Sequence, residues 1–262
     1  MMKKKKIHSK IILPTEKTIE AQNIYDHIIM LYGPPGIGKT EFMEKLSDST
    51  FFISTDRGTK SFPALRWPVH NWSELIKIIR ALEIENAGNK YQIICLDHID
   101  DIAMMAEDEA CETLGVEALG DAGYNKGWRR YKKNIWEILQ RLLRLNTGIG
   151  LIAHETIKTI RTRVVETERT MPDLTKSAWK ILVPKCDLVG YCGFKIIKQK
   201  TGKRKEIRII RTSPLESIYA KDRTRRVQPE SGYELLDGKE FAKTFERKTK
   251  HGKKKSKKKI TR

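Results

Sequence analysis

The sequence predicts an α/β fold: a mostly parallel, twisted sheet with helices on both faces and C-terminal strands that are partly antiparallel. Three observations predict it. Short, wholly apolar runs such as Ile28 to Tyr32 and Ile93 to Leu96 suit strands buried on both faces. Between such runs, apolar residues recur at helical spacing. A Gly/Pro-rich loop joins the first run to the first helix, and strands alternating with helices imply a covered parallel sheet.

The elements follow in order. After the strand Ile28 to Tyr32 and the loop, Phe42, Met43 and Leu46 mark a helix, and Phe51, Phe52 and Ile53 mark a second strand. Residues 54 to 72 hold turn formers (Gly58, Pro63, Pro68), after which Asn71 or Ser73 caps a helix through Leu75, Ile78, Ile79 and Leu82. Glu85 to Lys90 form a polar loop. A strand ends at Asp97, and a helix runs through Ile102, Met105 and Ala106. Residues 115 to 127 hold four glycines and read as a loop. A long amphipathic helix follows through Trp128, Tyr131, Ile135, Ile138, Leu139 and Leu142. The fourth strand, Ile149 to Ala153, ends at His154. The charged stretch Glu155 to Thr170 reads as a long loop or exposed hairpin. A helix over 174 to 184 and strands over 187 to 197 and 206 to 211 complete the series.

The chain has 262 residues and a formal net charge of +19, from 52 basic and 33 acidic residues. Its charge is concentrated at the ends. Residues 1 to 10 carry five basic residues and residues 247 to 262 carry ten, with no acidic residue in either stretch, so 37 basic face 33 acidic residues elsewhere. Lys-rich blocks repel one another and bury no apolar area, so residues 1 to 22 read as a flexible basic segment and 247 to 262 as a disordered tail. Residues 23 to 246 then form one domain. The tails are either solubilising or arms that neutralise nucleic-acid phosphates. Four cysteines, at 95, 111, 186 and 192, lack both CxxC spacing and the density of a disulfide scaffold, which points to a reducing, cytoplasmic setting. No apolar run approaches a membrane span.

Gly33-Pro34-Pro35-Gly36-Ile37-Gly38-Lys39-Thr40 matches GxxxxGK[ST]. Glycines let backbone N–H groups turn inward around a phosphate, and the helix beginning here adds its positive end. Lys39 brings a point charge to the β- and γ-phosphates, and the Thr40 hydroxyl is a ligand for Mg²⁺. Asp97, closing an apolar strand downstream, is the expected second holder of that metal, directly or through water.

Hydrolysis needs a group that orients or deprotonates water. AAA+ enzymes usually place a Glu directly after the metal-binding Asp, and His98 stands there instead. Asp56 ends the strand following the loop's helix, where RecA-like ATPases place that carboxylate; the other reading is a cap for the turn into Gly58. His154 ends the fourth strand, where RecA-like proteins carry a polar residue that senses the γ-phosphate; the other reading is a structural histidine.

The segments YGPPGIGKT (32–40), FISTDRGTKS (52–61), IICLDHIDDI (93–102), YNKGW (124–128), GLIAHE (150–155), PDLTKSAWKILVPKCDLVGY (172–191) and AKDRTR (220–225) together resemble the RecA-like P-loop ATPases of bacteriophages and prophages. Such proteins are often described only as AAA-domain nucleotide-binding proteins, and some are ATP-dependent single-strand annealing proteins. The resemblance implies a RecA-type core, ATP and Mg²⁺, cytoplasmic action on single-stranded DNA in recombination or replication, and assembly into a homo-oligomeric ring or filament. A single-stranded DNA-binding protein is a further candidate partner. The family usually has DTEGG where this chain has Ser54-Thr55-Asp56-Arg57-Gly58, so the shorter Asp56 implies slow hydrolysis.

RecA-like assemblies complete each site with a basic finger from the neighbouring subunit, and the AKDR segment resembles it. Lys221 and Arg223, two apart on a strand, would point the same way across an interface; ordinary surface charge is the other reading. DNA-contacting loops of this fold correspond to residues 115–127 and 155–172, which makes Lys158, Arg161, Arg163 and Arg169 candidate phosphate contacts and Tyr124 or Trp128 candidate base platforms. Trp128 also lies on the apolar helix stripe. Two other functions remain open: an ATP-switched DNA-binding module with negligible hydrolysis, and a small-molecule P-loop kinase, against which the family segments count.

Overall fold

The computed structural model describes residues 15, 21, 23–56, 62–161, 166–199, 202–227, 232 and 234–246. Most of the basic N-terminal segment, the Lys-rich tail, Arg57, Gly58 and Arg163 lie outside them.

A 3-10 turn at Ile24–Asp26 leads into β1 (Ile28–Tyr32), α1 (Lys39–Glu44), β2 (Thr50–Ser54) and β3 (Leu65–Pro68). There follow α2 (Trp72–Ile84), β4 (Ile93–Asp97), α3 (Ile99–Leu114), α4 (Lys126–Leu143) and β5 (Gly148–Ala153). The hairpin β6 (Glu155–Arg161) and β7 (Glu166–Pro172) precedes α5 (Lys176–Leu182), β8 (Leu188–Lys198) and β9 (Arg204–Arg211). The described chain ends with β10 (Lys221–Asp222), β11 (Glu234–Leu235) and α6 (Gly238–Glu246).

The main sheet runs β11-β9-β8-β1-β5-β4-β2-β3, with β10 beside β8. From β8 across to β3 every pairing is parallel, and the pairings of β9, β10 and β11 are antiparallel, as the sequence predicts. Period-two alternation divides each central strand between two cores. Met30 and Tyr32 of β1 face the layer of α2, α3, α4 and α5, whereas Ile29 and Leu31 face α1 and α6. Both faces are therefore covered, which is why the central strands read as unbroken apolar runs.

Asn71, not Ser73, caps α2: its side chain accepts from the Glu74 N–H at 3.0 Å. The turn-rich stretch before it contains β3, an edge strand whose Leu65 and Trp67 are exposed. Residues 155–161 and 166–172 pair as the hairpin alternative, from Glu155↔Pro172 to Arg161↔Glu166. α4 buries Tyr131, Ile135, Ile138, Leu139 and Leu142. Trp128 sits at the rim of that stripe, 37% exposed, with its ring set edge-on to that of Tyr131 at 6.2 Å. No helix among the described residues is long and apolar enough to cross a membrane.

Candidate nucleotide-binding site

Sheet order assembles the site. β5 is inserted between β1 and β4, so the C-terminal ends of three neighbouring strands deliver Gly33, His154 and Asp97 to one edge, where open α/β sheets bind ligands. Ser54, on β2, is in register with Asp97, which brings Asp56 to the same edge. A cleft of about 280 Å³ there is lined by Pro35, Gly36, Gly38, Lys39 and Thr40 of the loop, and by Asp56, Asp97, His98 and His154 from the strand ends.

The loop is held by sterics as much as by hydrogen bonds. Gly33 has φ of 152°, and a Cβ there would stand 2.0 Å from the Cys192 carbonyl oxygen on β8. Gly38 has φ of 104° and starts α1, its carbonyl accepting from the Phe42 N–H at 2.9 Å. Ile37 is fully buried and pins the loop to the core beneath it. α1 has only six residues, so its dipole is short and the loop's own amides must carry most of the anion attraction.

Lys39 is buried, and its ammonium donates to the Gly33 and Pro34 carbonyls at 2.8 and 3.0 Å. Burial lowers its pKa from the usual lysine value, an effect opposed by nearby Cys192, Asp97, Asp100 and Glu155. The Thr40 hydroxyl donates to Asp97 Oδ2 at 3.2 Å. Burial raises the Asp97 carboxyl pKa, while His98, the Thr40 hydrogen bond and Lys39 pull it down. Asp97 Oδ1 is buried without a hydrogen-bond partner, 3.3 Å from His98 Nε2.

These donors fit Mg²⁺. A hydroxyl and a carboxylate side by side, one carboxylate oxygen unused, suit a hard cation that takes one or two protein oxygens plus phosphate oxygens and waters. No group of three or more His, Cys, Asp or Glu among the described residues is placed to hold a metal ion by itself.

A polar cluster joins Asp97 to the hairpin. His154 Nδ1 lies 2.6 Å from Asp100 Oδ2, and its ring packs 4.2 Å, centroid to centroid, from that of His98. The Thr55 hydroxyl donates to Asp101 at 2.6 Å and accepts from the His98 N–H at 3.0 Å. The sequence signals no role for Thr55, Asp100 or Asp101, nor the packing of His98 against His154. Two acidic residues at a helix start look like ordinary first-turn acids, so nothing in the sequence marks them as histidine partners.

The remaining candidates lie elsewhere. Lys221 and Arg223 sit together, as their spacing predicts, but by the N-terminal ends of the central strands, opposite the loop. Lys221 donates to the carbonyls of Val183, Pro184 and Cys186 beyond α5, and Arg223 donates to Pro184 at 2.7 Å. Within one chain they do not reach the cleft. On the hairpin, Lys158 donates to the Leu174 carbonyl at 2.8 Å and Arg161 pairs with Glu166 in solvent. Arg169 turns inward over the Tyr219 ring at 5.3 Å. Tyr124, 95% exposed, stands free in the α3–α4 loop.

The SPbeta prophage-derived uncharacterized protein YorG of Bacillus subtilis strain 168 is 24% identical over 147 residues, which are 55% of this chain and 45% of that protein. The match thus spans under half the length of that relative. The solved KaiC-like protein PH0186 of Pyrococcus horikoshii OT3 aligns over 71% of this chain and 79% of its own, at 14% identity and a TM-score of 0.40. The family description "AAA domain" matches residues 26–224, from just before β1 to just after β10. With the GxxxxGK[ST] loop set on a mostly parallel sheet covered on both faces, the chain belongs to the AAA domain family of P-loop NTPases.

Proposed function

We propose that the chain binds ATP with Mg²⁺ at residues 33–40 and Asp97, and that nucleotide state controls its hold on single-stranded DNA during phage-type recombination or replication. One observation carries the proposal: the Thr40 hydroxyl and Asp97 carboxylate meet at 3.2 Å beside the buried Lys39, in a cleft that His154 also lines. When bound, Mg²⁺ supplies charge neutralisation and orientation for the phosphates. Thr40 and Asp97 hold it, Lys39 faces the phosphates, and Asp56 orients the attacking water. His154 directly precedes β6, so a shift of its ring on phosphate contact moves the base of the hairpin. Lys221 and Arg223 complete a neighbour's site in the active homo-oligomer, which makes assembly part of the cycle.

The relative's prophage origin and the family segments support the phage setting. DNA-stimulated phosphate release tests the enzyme reading: release that rises several-fold with single-stranded oligonucleotide supports it. A second reading, favoured by the short Asp56 side chain, makes ATP a switching ligand with negligible turnover, and the basic tail then supplies most DNA affinity. Deleting residues 247–262 separates the two. If the tail dominates, the truncated chain loses oligonucleotide binding with or without ATP; if the ATP site dominates, ATP-dependent binding survives.

A further inference from the structure

Arg208 is a cation at the cleft that neither the motif nor the family segments assign. It stands on β9 and lines the cleft with Lys39, Thr40 and Asp97. Its Nη1 lies 3.4 Å from where a Cβ on Gly38 would be, so the guanidinium rests against the phosphate loop one residue before Lys39. It is exposed, and among the described residues no carboxylate holds it.

The backbone under Arg208 is fastened to that loop. β11 pairs with the next two residues of β9, Ile209 and Ile210, and the Leu236 N–H donates to the Arg208 carbonyl at 3.0 Å. Leu236 also reaches within 3.9 Å of the Gly38 Cβ position. Phe241 of α6 meets Phe42 of α1 with ring centroids 5.3 Å apart. The C-terminal segment therefore clasps β9 to the loop and its helix. A guanidinium fixed at its root and loose at its tip presents a planar fork of donors, the geometry that grips phosphate oxygens in pairs.

We propose that Arg208 binds the phosphate chain of the nucleotide held by its own subunit's loop, as a second cation beside Lys39. The inference rests on the reading of the cleft as an ATP site. It differs from the interfacial role given to Lys221 and Arg223, because Arg208 serves the loop of the same chain and needs no neighbour. Lysine at this position keeps the charge but loses the paired donors, so it replaces arginine only in part.

Fluorescence titration with Mg·ATP tests the inference on the full-length chain. Arg208→Ala weakens binding about tenfold or more, Arg208→Lys by less, and Lys205→Ala, an exposed cation on the same strand, leaves it unchanged. Thermal melting of all three matches wild type, since the side chains are exposed. Mixing Arg208→Ala with Lys39→Ala subunits restores nothing, because a same-chain arginine cannot serve another loop. Wild-type affinity in Arg208→Ala, an equal loss in Lys205→Ala, or recovery on mixing overturns the inference. A wild type that binds no nucleotide overturns the ATP site itself, a result distinct from all three.

Discussion

His154 Nδ1 and Asp100 Oδ2 stand 2.6 Å apart, which ties the end of β5 to the first turn of α3. The same carboxylate accepts from the His154 backbone N–H at 3.3 Å through its other oxygen. One aspartate thus orients both the ring and the peptide from which the β6–β7 hairpin departs. Hydrogen bonds to a charged group are worth about 1.5–3 kcal/mol, enough to select one ring orientation. Replacing Asp100 with Asn is expected to leave Mg·ATP affinity within about twofold while the ATP-dependence of oligonucleotide binding falls. Parallel nucleotide and oligonucleotide titrations check it; an unchanged ATP-dependence removes His154 from the coupling.

Asp56 is expected to limit turnover. Under the proposed water-orienting role, Asp56→Asn lowers phosphate release about a hundredfold or more, and Asp56→Glu, with its longer side chain, raises it. Nucleotide affinity stays near wild type in both. Steady-state release rates decide the matter, and equal rates in all three chains return Asp56 to the role of a turn cap.

Gly33 cannot take a side chain. Both its φ of 152° and the 2.0 Å approach of the Cys192 oxygen must be relieved in Gly33→Ala, with an expected loss of about 2–4 kcal/mol and of nucleotide binding. Gly36→Ala is the milder comparison. Nothing lies within 4 Å of its Cβ position, so only its left-handed φ of 74° opposes the change, at about 1–2 kcal/mol. Urea unfolding measures both.

Arg141 grips Glu83 with two hydrogen bonds of 2.8 Å, joining α4 to α2. The pairing depresses the Glu83 pKa, so its contribution to stability is present above the unfolded glutamate pKa of about 4.3 and is lost as pH falls through the lower folded value. With the Glu83 side chain 33% exposed, Glu83→Gln is expected to cost no more than about 1 kcal/mol at pH 7. The difference from wild type shrinks below about pH 4. Urea midpoints across pH 3 to 7 show it; a difference independent of pH would assign the loss to packing.

The central strands and the loop were legible because each carries a strong local signal. Apolar runs mark β1, β4 and β5, and eight loop residues carry the phosphate motif. β3 escaped because an edge strand with Leu65 and Trp67 exposed shows no buried pattern and itself ends in Pro68. α6 escaped because Phe241 packs on Phe42, a partner set by tertiary contact rather than spacing. The site divides in the same way. Lys39, Thr40 and Asp97 announce themselves by neighbours in sequence, whereas Arg208 reaches the cleft only through strand pairing, and Asp100 reaches His154 only through the placement of α3. Trp128 shows the limit of periodicity, since a residue at the edge of an apolar stripe belongs to surface and core alike.

The account turns on whether Mg·ATP at Lys39 governs DNA binding. Retention of a single-stranded oligonucleotide at moderate salt, compared for wild type and Lys39→Ala with and without Mg·ATP, measures that link directly. The predicted result is strong retention by wild type with Mg·ATP and weak retention in the other three samples. Equal retention in all four would contradict it and leave DNA binding, if any, to the basic tails.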